Sequence, residues 1–298
     1  MIQIRVPATS ANMGSGFDSL GIALTMYNTV WMEESDNLEI VSRDGLAIPT
    51  DKSNLIYWAA EKLYEKCGKT LPGLHIEQKS DIPMTRGLGS SSACIVAGLY
   101  GANRLLGSPF TVGDLVNISA ELEGHPDNTT PALLGGLVTS AMEGGRVHSV
   151  SVPVSERISF AVLIPPFELS TTVARSVLPD TVSREDAVYN LSRSALMTSS
   201  LFSGALENLR VAVQDKLHQP YREHFIPGLS QVFRICTELG SFGTYISGAG
   251  PTIIAIIDKD SRGNFTQYVQ QKLVEKGIDG WRLELLEPDN TGVSLEIS

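Results

Sequence analysis

Lysine and arginine are scarce in this sequence and form no cluster. The 298 residues include 33 acidic and 23 basic side chains, so the formal net charge is −10 at pH 7. A chain with this balance and no basic block is not expected to bind nucleic acid or an anionic membrane surface. A phosphorylated ligand must instead be held by local dipoles, a metal ion and a few selected cations.

Long apolar segments and cysteines are also few. No apolar run approaches the ~20 residues that span a bilayer, and the first residues lack the basic and apolar regions of an export signal. Cys67, Cys94 and Cys236 are widely spaced and form no C-x-x-C pair, which indicates neither a disulfide framework nor a zinc site. We therefore expect a cytoplasmic protein with reduced thiols and no membrane contact.

The usual nucleotide-binding motifs are missing as well. Residues 67–70 contain the Gly-Lys-Thr of a P-loop, but Leu63 stands where the first glycine is required. Two stretches begin like the dinucleotide fingerprint and then have Ser19 or Ser92 in place of its last glycine. The sequence also has no G-x-S-x-G and no H-E-x-x-H, so nothing supports an α/β-hydrolase or a zincin.

One stretch does have the composition of a phosphate-binding loop. It contains two glycines and three serines directly before a run of helical composition, so its backbone N–H groups can bind an anion at a helix N-terminus. Its residues are Pro83, Met84, Thr85, Arg86, Gly87, Leu88, Gly89, Ser90, Ser91, Ser92 and Ala93.

The length fits two domains, and we place the change between them near residues 155–160, as 1–157 and 158–298. Alternating apolar residues predict a first strand from Ile2 to Val6 that Pro7 ends, followed by a small, polar loop at 8–18. Helical spacing predicts a helix after an N-cap at Ser53 that stops at Gly68.

The second half is predicted to alternate helices and strands. Residues 159–164 form an apolar run that stops on two prolines. A capping-box pattern at Ser183 predicts a long helical region to about His218. A buried strand is expected over 253–257, after the glycine-rich stretch 247–252.

Four stretches together resemble the signature set of the GHMP small-molecule kinases: 8–18, 83–93, 123–128 and 247–252. The pattern P-x-x-x-G-L-G-S-S-x-A at 83–93 is highly specific to that family. The resemblance covers nearly the whole chain. It implies an α+β, two-domain GHMP kinase fold, with an ATP-binding N-terminal domain of the ribosomal-protein-S5-domain-2-like type and a ferredoxin-like C-terminal domain. Members of the family commonly form homodimers.

The resemblance also implies roles for individual residues. Residues 83–93 would bind ATP, with Mg²⁺ held by Ser91 and Glu123. The opening loop 8–18 is similar to that of the members whose substrate is L-homoserine. The residues implied to surround this amino acid are Asn12, Asp18, His125, Asp127, Thr171, Arg175 and Arg222.

The sequence differs from many family members at the position of the expected catalytic base. Their aspartate is replaced here by Asn128, and an amide cannot accept a proton. Phosphoryl transfer has a loose transition state that demands little activation of the nucleophile. We therefore predict direct attack of the substrate hydroxyl on the γ-phosphate, with Asn128 stabilising the transferred group. Asp127 acting as the base is the competing hypothesis.

Two other functions remain open at this point. Another GHMP activity, such as mevalonate, galactose or isoprenoid-intermediate kinase, is disfavoured by the opening loop and the Asp127-Asn128 pair. A ligand-binding protein without chemistry is disfavoured because Ser91 and Glu123 are both present. Asn54 and Ile56 are our candidates for contacts to adenine.

Overall fold

The computed structural model describes residues 1–278 and 280–297. They form two β-sheets, each covered by helices. The strands are β1 Ile2–Ala11, β2 Leu20–Ser35, β3 Glu39–Ser42, β4 Gly73–Ser80, β5 Leu137–Glu143, β6 Arg146–Val152, β7 Ile158–Ile164, β8 Gly243–Ile246, β9 Ile253–Asp258, β10 Arg282–Leu286 and β11 Ser294–Ile297. The helices are α1 Leu55–Lys66, α2 Ser90–Leu105, α3 Val112–Glu123, α4 Thr129–Leu134, α5 Thr171–Ser176, α6 Arg184–Ser203, α7 Leu209–Ala212, α8 Gln219–Arg222, α9 Leu229–Glu238 and α10 Arg262–Glu275.

The first sheet has the order β11-β1-β2-β4-β3, and β5 and β6 extend it from β2. Strand β2 is 16 residues long, so its first residues pair with β5 and its last eight pair with β4. Helices α1 and α2 pack on this sheet and on each other. The α1–α2 contact is close because Gly98 faces the α1 backbone, where a Cβ would lie 2.3 Å from the carbonyl oxygen of Ile56.

The second sheet is antiparallel and has the order β10-β7-β9-β8. Numbered within this half, that order is 4-1-3-2, and helices connect the first strand to the second and the third to the fourth. This is the ferredoxin-like arrangement that the sequence predicted. Strand β7 is buried along its whole length and β9 along all but its last residue, which explains their nearly continuous apolar sequences. Strand β11 crosses back to the first sheet and pairs with β1.

The prediction that Pro7 ends the first strand is wrong. Strand β1 continues to Ala11, with a register shift between Pro7 and Ala8 in its pairing with β2. Proline is tolerated in a strand at a bulge, where the ladder is already interrupted. The extension brings Thr9 beside the glycine-serine loop, since its N–H donates to the carbonyl of Leu88 at 3.1 Å.

Two predicted helix boundaries are also wrong. The N-cap of α1 is Asn54 rather than Ser53, because the Asn54 side chain accepts the N–H of Ile56. The helix that begins after Ser183 ends at Ser203, where Gly204 adopts the left-handed conformation with φ of 78°. A 3₁₀ turn, α7 and α8 follow in place of a continuous helix. Among the described residues, no helix is long and apolar enough to cross a membrane.

Candidate active site

A cavity of about 310 Å³ lies between the N-terminus of α2 and loops from both halves of the chain. It brings together stretches that are far apart in sequence. Its lining residues are Asn12, Thr85, Arg86, Gly87, Gly89, Ser90, Ser91, Ser92, Glu123, His125, Asp127, Asn128, Leu169, Thr171, Arg175, Arg222, Gly248, Ala249 and Gly250.

The two loop glycines are required by their backbone conformation and by their neighbours. Gly87 and Gly89 have φ of 75° and 71°, and Gly89 is the N-cap of α2. A Cβ on Gly87 would lie 2.3 Å from the carbonyl oxygen of Ser247, and one on Gly89 would lie 2.1 Å from the hydroxyl of Thr9. The loop is therefore wedged tightly at the start of the helix, a position where backbone N–H groups can bind an anion.

Only part of the predicted loop faces this cavity. Leu88 and Ala93 are fully buried in the hydrophobic core and anchor the loop and the helix from below. Met84 lines a neighbouring cavity instead, and Pro83 lines neither. The remaining seven residues, 85–87 and 89–92, line the cavity itself.

The stretch 247–252 supports the glycine-serine loop from the other half of the chain. The Ser247 hydroxyl lies 2.6 Å from the carbonyl of Gly87 and 2.8 Å from the hydroxyl of Ser10. The N–H of Thr252 donates to the carbonyl of Arg86 at 3.3 Å. These contacts join the two sheets directly behind the anion-binding space.

Glu123, the last residue of α3, points into the cavity as a buried carboxylate. Its Oε1 accepts the hydroxyl of Ser92 at 2.9 Å, whereas its Oε2 has no hydrogen-bond partner among the described residues. Burial raises the pKa of this carboxyl group. Ser91, the adjacent serine, lines the same cavity. An unpaired carboxylate oxygen and a serine hydroxyl in one cavity suit a hard divalent cation, which also takes oxygens from phosphate and water.

Asn128 is oriented by a contact that the sequence did not reveal. The hydroxyl of Thr9 donates to Asn128 Oδ1 at 2.8 Å. Because Oδ1 is engaged by Thr9, the amide nitrogen is the part of the cavity-lining Asn128 that is left to donate to a ligand. The extension of β1 past Pro7 is what places Thr9 there.

His125 and Asp127 form a close pair on the same wall. His125 Nδ1 lies 2.6 Å from Asp127 Oδ1, and Asp127 is only 2% exposed. The hydrogen bond to Asp127 raises the pKa of His125. The Asp127 carboxylate therefore already has a hydrogen-bond partner within the protein.

Arg175 and Asp18 form a bidentate ion pair at the edge of the cavity. Arg175 Nη2 and Nη1 donate to the two Asp18 oxygens at 2.6 and 3.0 Å. This hydrogen bonding raises the pKa of Arg175, which lies in the last turn of α5. Thr171, in the first turn of the same helix, also lines the cavity. Asp18 itself does not line it.

Arg222 is the largest fully buried side chain among the described residues, with 1% exposure. Its Nε donates to the carbonyl of Ala174 at 3.2 Å and its Nη1 donates to the carbonyl of Gly248 at 2.9 Å. Burial lowers the pKa of Arg222 to about 10, so the guanidinium is still charged at neutral pH. A buried cation that lines a cavity is suited to an anionic ligand group.

Asn12 lines the cavity, but its amide is engaged in the protein. Its Nδ2 donates to the carbonyl of Gly248 at 2.8 Å, and its Oδ1 accepts the N–H of Asp18 at 2.9 Å. Its backbone is left-handed, with φ of 69°. These contacts give Asn12 a clear part in shaping the loop.

A second cavity of about 240 Å³ adjoins the first and shares Thr85, Ser90 and Ser91 with it. Of the two candidates for adenine contacts, Asn54 lines it and Ile56 is buried in the core. The Asn54 amide caps α1 and donates to the carbonyl of Pro49 at 2.9 Å. Met84, from the predicted loop, also lines it, but the sequence missed the other lining residues because they come from scattered segments: Ser42, Asp44, Leu46, Ile48, Pro49, Ser53, Leu55, Gln78, Ser80, Ile82 and Cys94.

Comparison with known proteins agrees with this geometry. The model of the GHMP kinases N terminal domain matches residues 54–136, and the model of the GHMP kinases C terminal domain matches residues 197–275. The chain is 46% identical over 303 residues to homoserine kinase from Clostridium beijerinckii, covering 99% of this chain and 98% of that one. It is 43% identical over 298 residues to homoserine kinase from Caldicellulosiruptor saccharolyticus, covering 99% and 96%.

A solved structure gives the same result. The crystal structure of homoserine kinase from Cytophaga hutchinsonii matches with a TM-score of 0.89 at 28% identity, covering 99% of this chain and 97% of that one. Family models, sequence relatives and a solved structure thus agree over both halves of the chain. This chain belongs to the GHMP kinase family and, within it, to the homoserine kinases.

Proposed function

We propose that this chain transfers the γ-phosphoryl group of ATP to the hydroxyl of L-homoserine, giving ADP and O-phospho-L-homoserine, a step of threonine biosynthesis. One observation carries the proposal. A single cavity has a glycine-rich helix N-terminus on one wall, and two arginines with the His125–Asp127 pair on the other. The first wall suits a polyphosphate and the second suits a small zwitterion.

ATP would lie across the two adjoining cavities. Its phosphates fit against the N–H groups of residues 87–91, where the dipole of the 16-residue helix α2 contributes roughly half a positive charge. The adenosine part fits the more apolar second cavity, which is joined to the first at Thr85, Ser90 and Ser91. The loop has no lysine and its Arg86 is paired with Glu168, so further positive charge must come from elsewhere.

Ser91 and Glu123 would hold Mg²⁺. The unpaired Oε2 of Glu123 is the observation that supports this assignment, since a buried carboxylate oxygen without a partner costs free energy. Bound there, the ion supplies charge neutralisation for the phosphate oxygens. The described residues contain no cluster of three metal-ligating side chains, which agrees with a site that takes most of its ligands from phosphate and water.

Homoserine would be bound by exchange of an ion pair. Arg175 and Asp18 are paired with each other in the structure, and both are candidate ligands for the substrate. The carboxylate of homoserine would bind Arg175 and Arg222. The ammonium group of homoserine would bind the carboxylates of Asp18 and Asp127. A ligand that separates Arg175 from Asp18 leaves one of these charges unpaired unless it carries both a carboxylate and an ammonium group. The site therefore favours zwitterions over simple alcohols.

Transfer would then follow from orientation. The hydroxyl oxygen of homoserine forms a bond to the γ-phosphorus while the bond from that phosphorus to the bridging oxygen of ADP breaks. The hydroxyl proton passes to a phosphate oxygen or to water. Asn128, aimed by Thr9, donates to the transferred group. Orientation of this kind contributes ~7–11 kcal/mol to lowering a barrier, which leaves little need for a base.

A coupled assay of ATP consumption tests the proposal. We expect turnover with homoserine and at least about a hundredfold lower kcat/KM with serine, threonine, mevalonate, 4-hydroxybutyrate and 3-amino-1-propanol, a difference of ~2.7 kcal/mol. The last two compounds each lack one charge of the zwitterion. Absence of turnover with homoserine overturns the assigned activity, and equal turnover of 4-hydroxybutyrate overturns the ion-pair exchange.

A further inference from the structure

His218 is a fully buried histidine directly behind Arg222. It lies at the N-cap of α8, one helical turn before Arg222, and its side chain has 0% exposure. Its Nδ1 is 2.9 Å from Arg222 Nη1, and its Nε2 is 2.6 Å from the carbonyl oxygen of Gly14. The imidazole therefore connects the buried arginine to the opening loop of the chain.

The proton positions on this imidazole follow from its neighbours. A guanidinium group can only donate, so His218 Nδ1 must be the acceptor for Arg222. A carbonyl oxygen can only accept, so Nε2 must carry the proton and donate to Gly14. Burial lowers the pKa of His218 to about 4, which keeps the ring neutral, as this arrangement requires. The charged groups that face it are Arg222, Asp215 and Asp18.

The imidazole is held in place from several sides. It stacks on the ring of Phe17, with centroids 5.2 Å apart and an angle of 22° between planes. Asp215 accepts the backbone N–H groups of Leu217, His218 and Gln219 at 2.9, 2.8 and 2.6 Å, which fixes the turn from which the ring projects. Phe17 also lies beneath both Arg175 and Arg222, at 5.5 and 5.6 Å from their guanidinium carbons.

The contacts of Arg222 show what the imidazole controls. Its Nε is bound to Ala174, and its Nη1 is shared between Gly248 and His218. Its Nη2 makes no hydrogen bond to another described residue, and the side chain lines the cavity. With Nε and Nη1 fixed, the plane of the guanidinium is fixed, and Nη2 is the nitrogen left for a ligand. Without the bond to His218, Nη1 retains only the Gly248 carbonyl.

We propose that His218 is a positioning residue that sets the aim of Arg222 at the carboxylate of the amino-acid substrate. It does so as a neutral acceptor at Nδ1, tied to the Gly14 carbonyl through Nε2–H. The proposal rests on the function proposed above, because it takes Arg222 to be the ligand for that carboxylate. It adds a residue that touches no substrate and yet determines substrate affinity.

Two substitutions separate the two hydrogen bonds of the ring. In His218→Asn the amide oxygen takes a position close to that of Nδ1 and still accepts from Arg222. In His218→Gln the longer side chain places its amide nitrogen near the position of Nε2, where it can donate to Gly14 but does not restore the acceptor at Nδ1. Both variants remove the aromatic ring, so they share any loss of packing against Phe17.

We expect His218→Gln to raise the KM for homoserine at least about tenfold, the equivalent of ~1.4 kcal/mol, with kcat and the KM for ATP little changed. His218→Asn should keep the KM for homoserine within about threefold of the wild type, or ~0.7 kcal/mol. Equal KM values for homoserine in the two variants, or a matching rise in the KM for ATP, would overturn the role assigned to His218.

A measurement on the unaltered protein keeps the proposal testable if both variants fail to fold. The ¹⁵N chemical shifts of labelled histidine should show a neutral His218 with its proton on Nε2 at pH 7, and the Nδ1 shift should change when homoserine binds. A proton on Nδ1 overturns the proposal. Lack of wild-type turnover with homoserine would instead refute the proposed function, and the two failures are distinguishable.

Discussion

Asp127 and Asn128 are adjacent in sequence, but their side chains have different hydrogen-bond partners. Asp127 is buried and bound to His125, whereas Asn128 is held at Oδ1 by Thr9, which leaves its amide nitrogen to donate. A carboxylate engaged in this way is a poor candidate for taking a proton from a substrate hydroxyl. The residue pair therefore favours orientation over base catalysis.

Kinetics of Asp127→Asn test this interpretation. We expect kcat to fall less than about tenfold and the KM for homoserine to rise, because the change removes a charge beside the ammonium group and releases His125. Loss of a general base would instead cost ~10²–10⁴ in kcat. A collapse of kcat with an unchanged KM for homoserine contradicts the mechanism without a base. His125→Gln serves as the control, since it releases Asp127 without altering its charge.

Glu123 illustrates a carboxylate whose charge destabilises the fold. Its folded-state pKa is raised by burial above the ordinary value of ~4.3, so the native state binds the proton more tightly than the unfolded chain. The free energy of unfolding therefore falls as pH rises between those two values, and it stays lower above the folded pKa. Below the ordinary value the penalty is absent.

We expect Glu123→Gln to raise the melting temperature at pH 7 by a few degrees, at about 2–4 °C per kcal/mol, while catalysis is lost. The gain in stability should shrink toward zero as pH falls below ~4. Thermal melts from about pH 8 down to about pH 3, below the ordinary carboxyl pKa, with matched activity assays at neutral pH, check both effects. A variant that is less stable than the wild type at pH 7 would show that the carboxylate is not destabilising.

At the scale of elements, the glycine-serine loop is held between β1 and the turn at 247–252. Gly87 is the point least able to accept a side chain, because a Cβ there would meet backbone oxygens of Ser247 and Gly250 at 2.3 and 2.8 Å. Backbone atoms cannot rotate aside as a side chain can. Gly68, at the end of α1, has a similar φ of 66° but nothing within 4 Å of its Cβ position.

Gly87→Ala and Gly68→Ala form a matched pair of substitutions. Both place a side chain in the left-handed region at ~1–2 kcal/mol, and only Gly87→Ala adds the steric clash. We expect the first variant to lose about 1–3 kcal/mol of stability, or to raise the KM for ATP about tenfold, beyond the effect of the second. Chemical denaturation and ATP titration measure the difference. Equal stability and equal KM for ATP would show that the loop is not wedged.

What could be predicted from sequence depended on how local the signal was. The loop before α2 was identified correctly because glycine, serine and helical spacing lie within one short stretch. The continuation of β1 beyond Pro7 depends on pairing with β2, and a local breaker rule cannot foresee it. For α6, the capping box was interpreted correctly but the stop at Gly204 was overlooked, although glycine after a helix is a local signal.

The site was predicted to a similar extent. The resemblance supplied the residues that line the cavity, such as Glu123 and Arg222. It did not reveal that Arg175 pairs with Asp18, that Thr9 aims Asn128, or that His218 lies behind Arg222. The Arg175–Asp18 and Thr9–Asn128 contacts each join segments more than 100 residues apart. The His218–Arg222 contact belongs to a buried turn. No pattern along the chain encodes them.

At the scale of the whole molecule, the last described strand belongs to the sheet that contains the first. Strand β11 pairs with β1 from Ile2↔Ile297 to Arg5↔Ser294, and the Gln3 amide donates to Glu296 at 3.1 Å. Leu295 packs against the main hydrophobic core. The two predicted domains, 1–157 and 158–298, are thus tied together by the final segment as well as at the cavity.

Deletion of residues 294–298 should lower the melting temperature by several degrees. It removes the pairing on one edge of β1, at ~0.5–1.5 kcal/mol for each hydrogen bond, and uncovers core surface beneath Leu295. Glu296→Ala in the full chain is the control, because the side chain is exposed and the strand remains. A truncated protein that melts with the full-length chain would show that β11 adds nothing to the fold.

The return of β11 also orders events during synthesis. On the ribosome, β1 emerges before β11, and its outer edge stays unpaired until nearly 290 further residues have been translated. An intermediate with an open edge strand is prone to pair with other nascent chains. The first sheet is incomplete until β11 arrives, so we expect a chain interrupted before that point to be a target for chaperones and proteases.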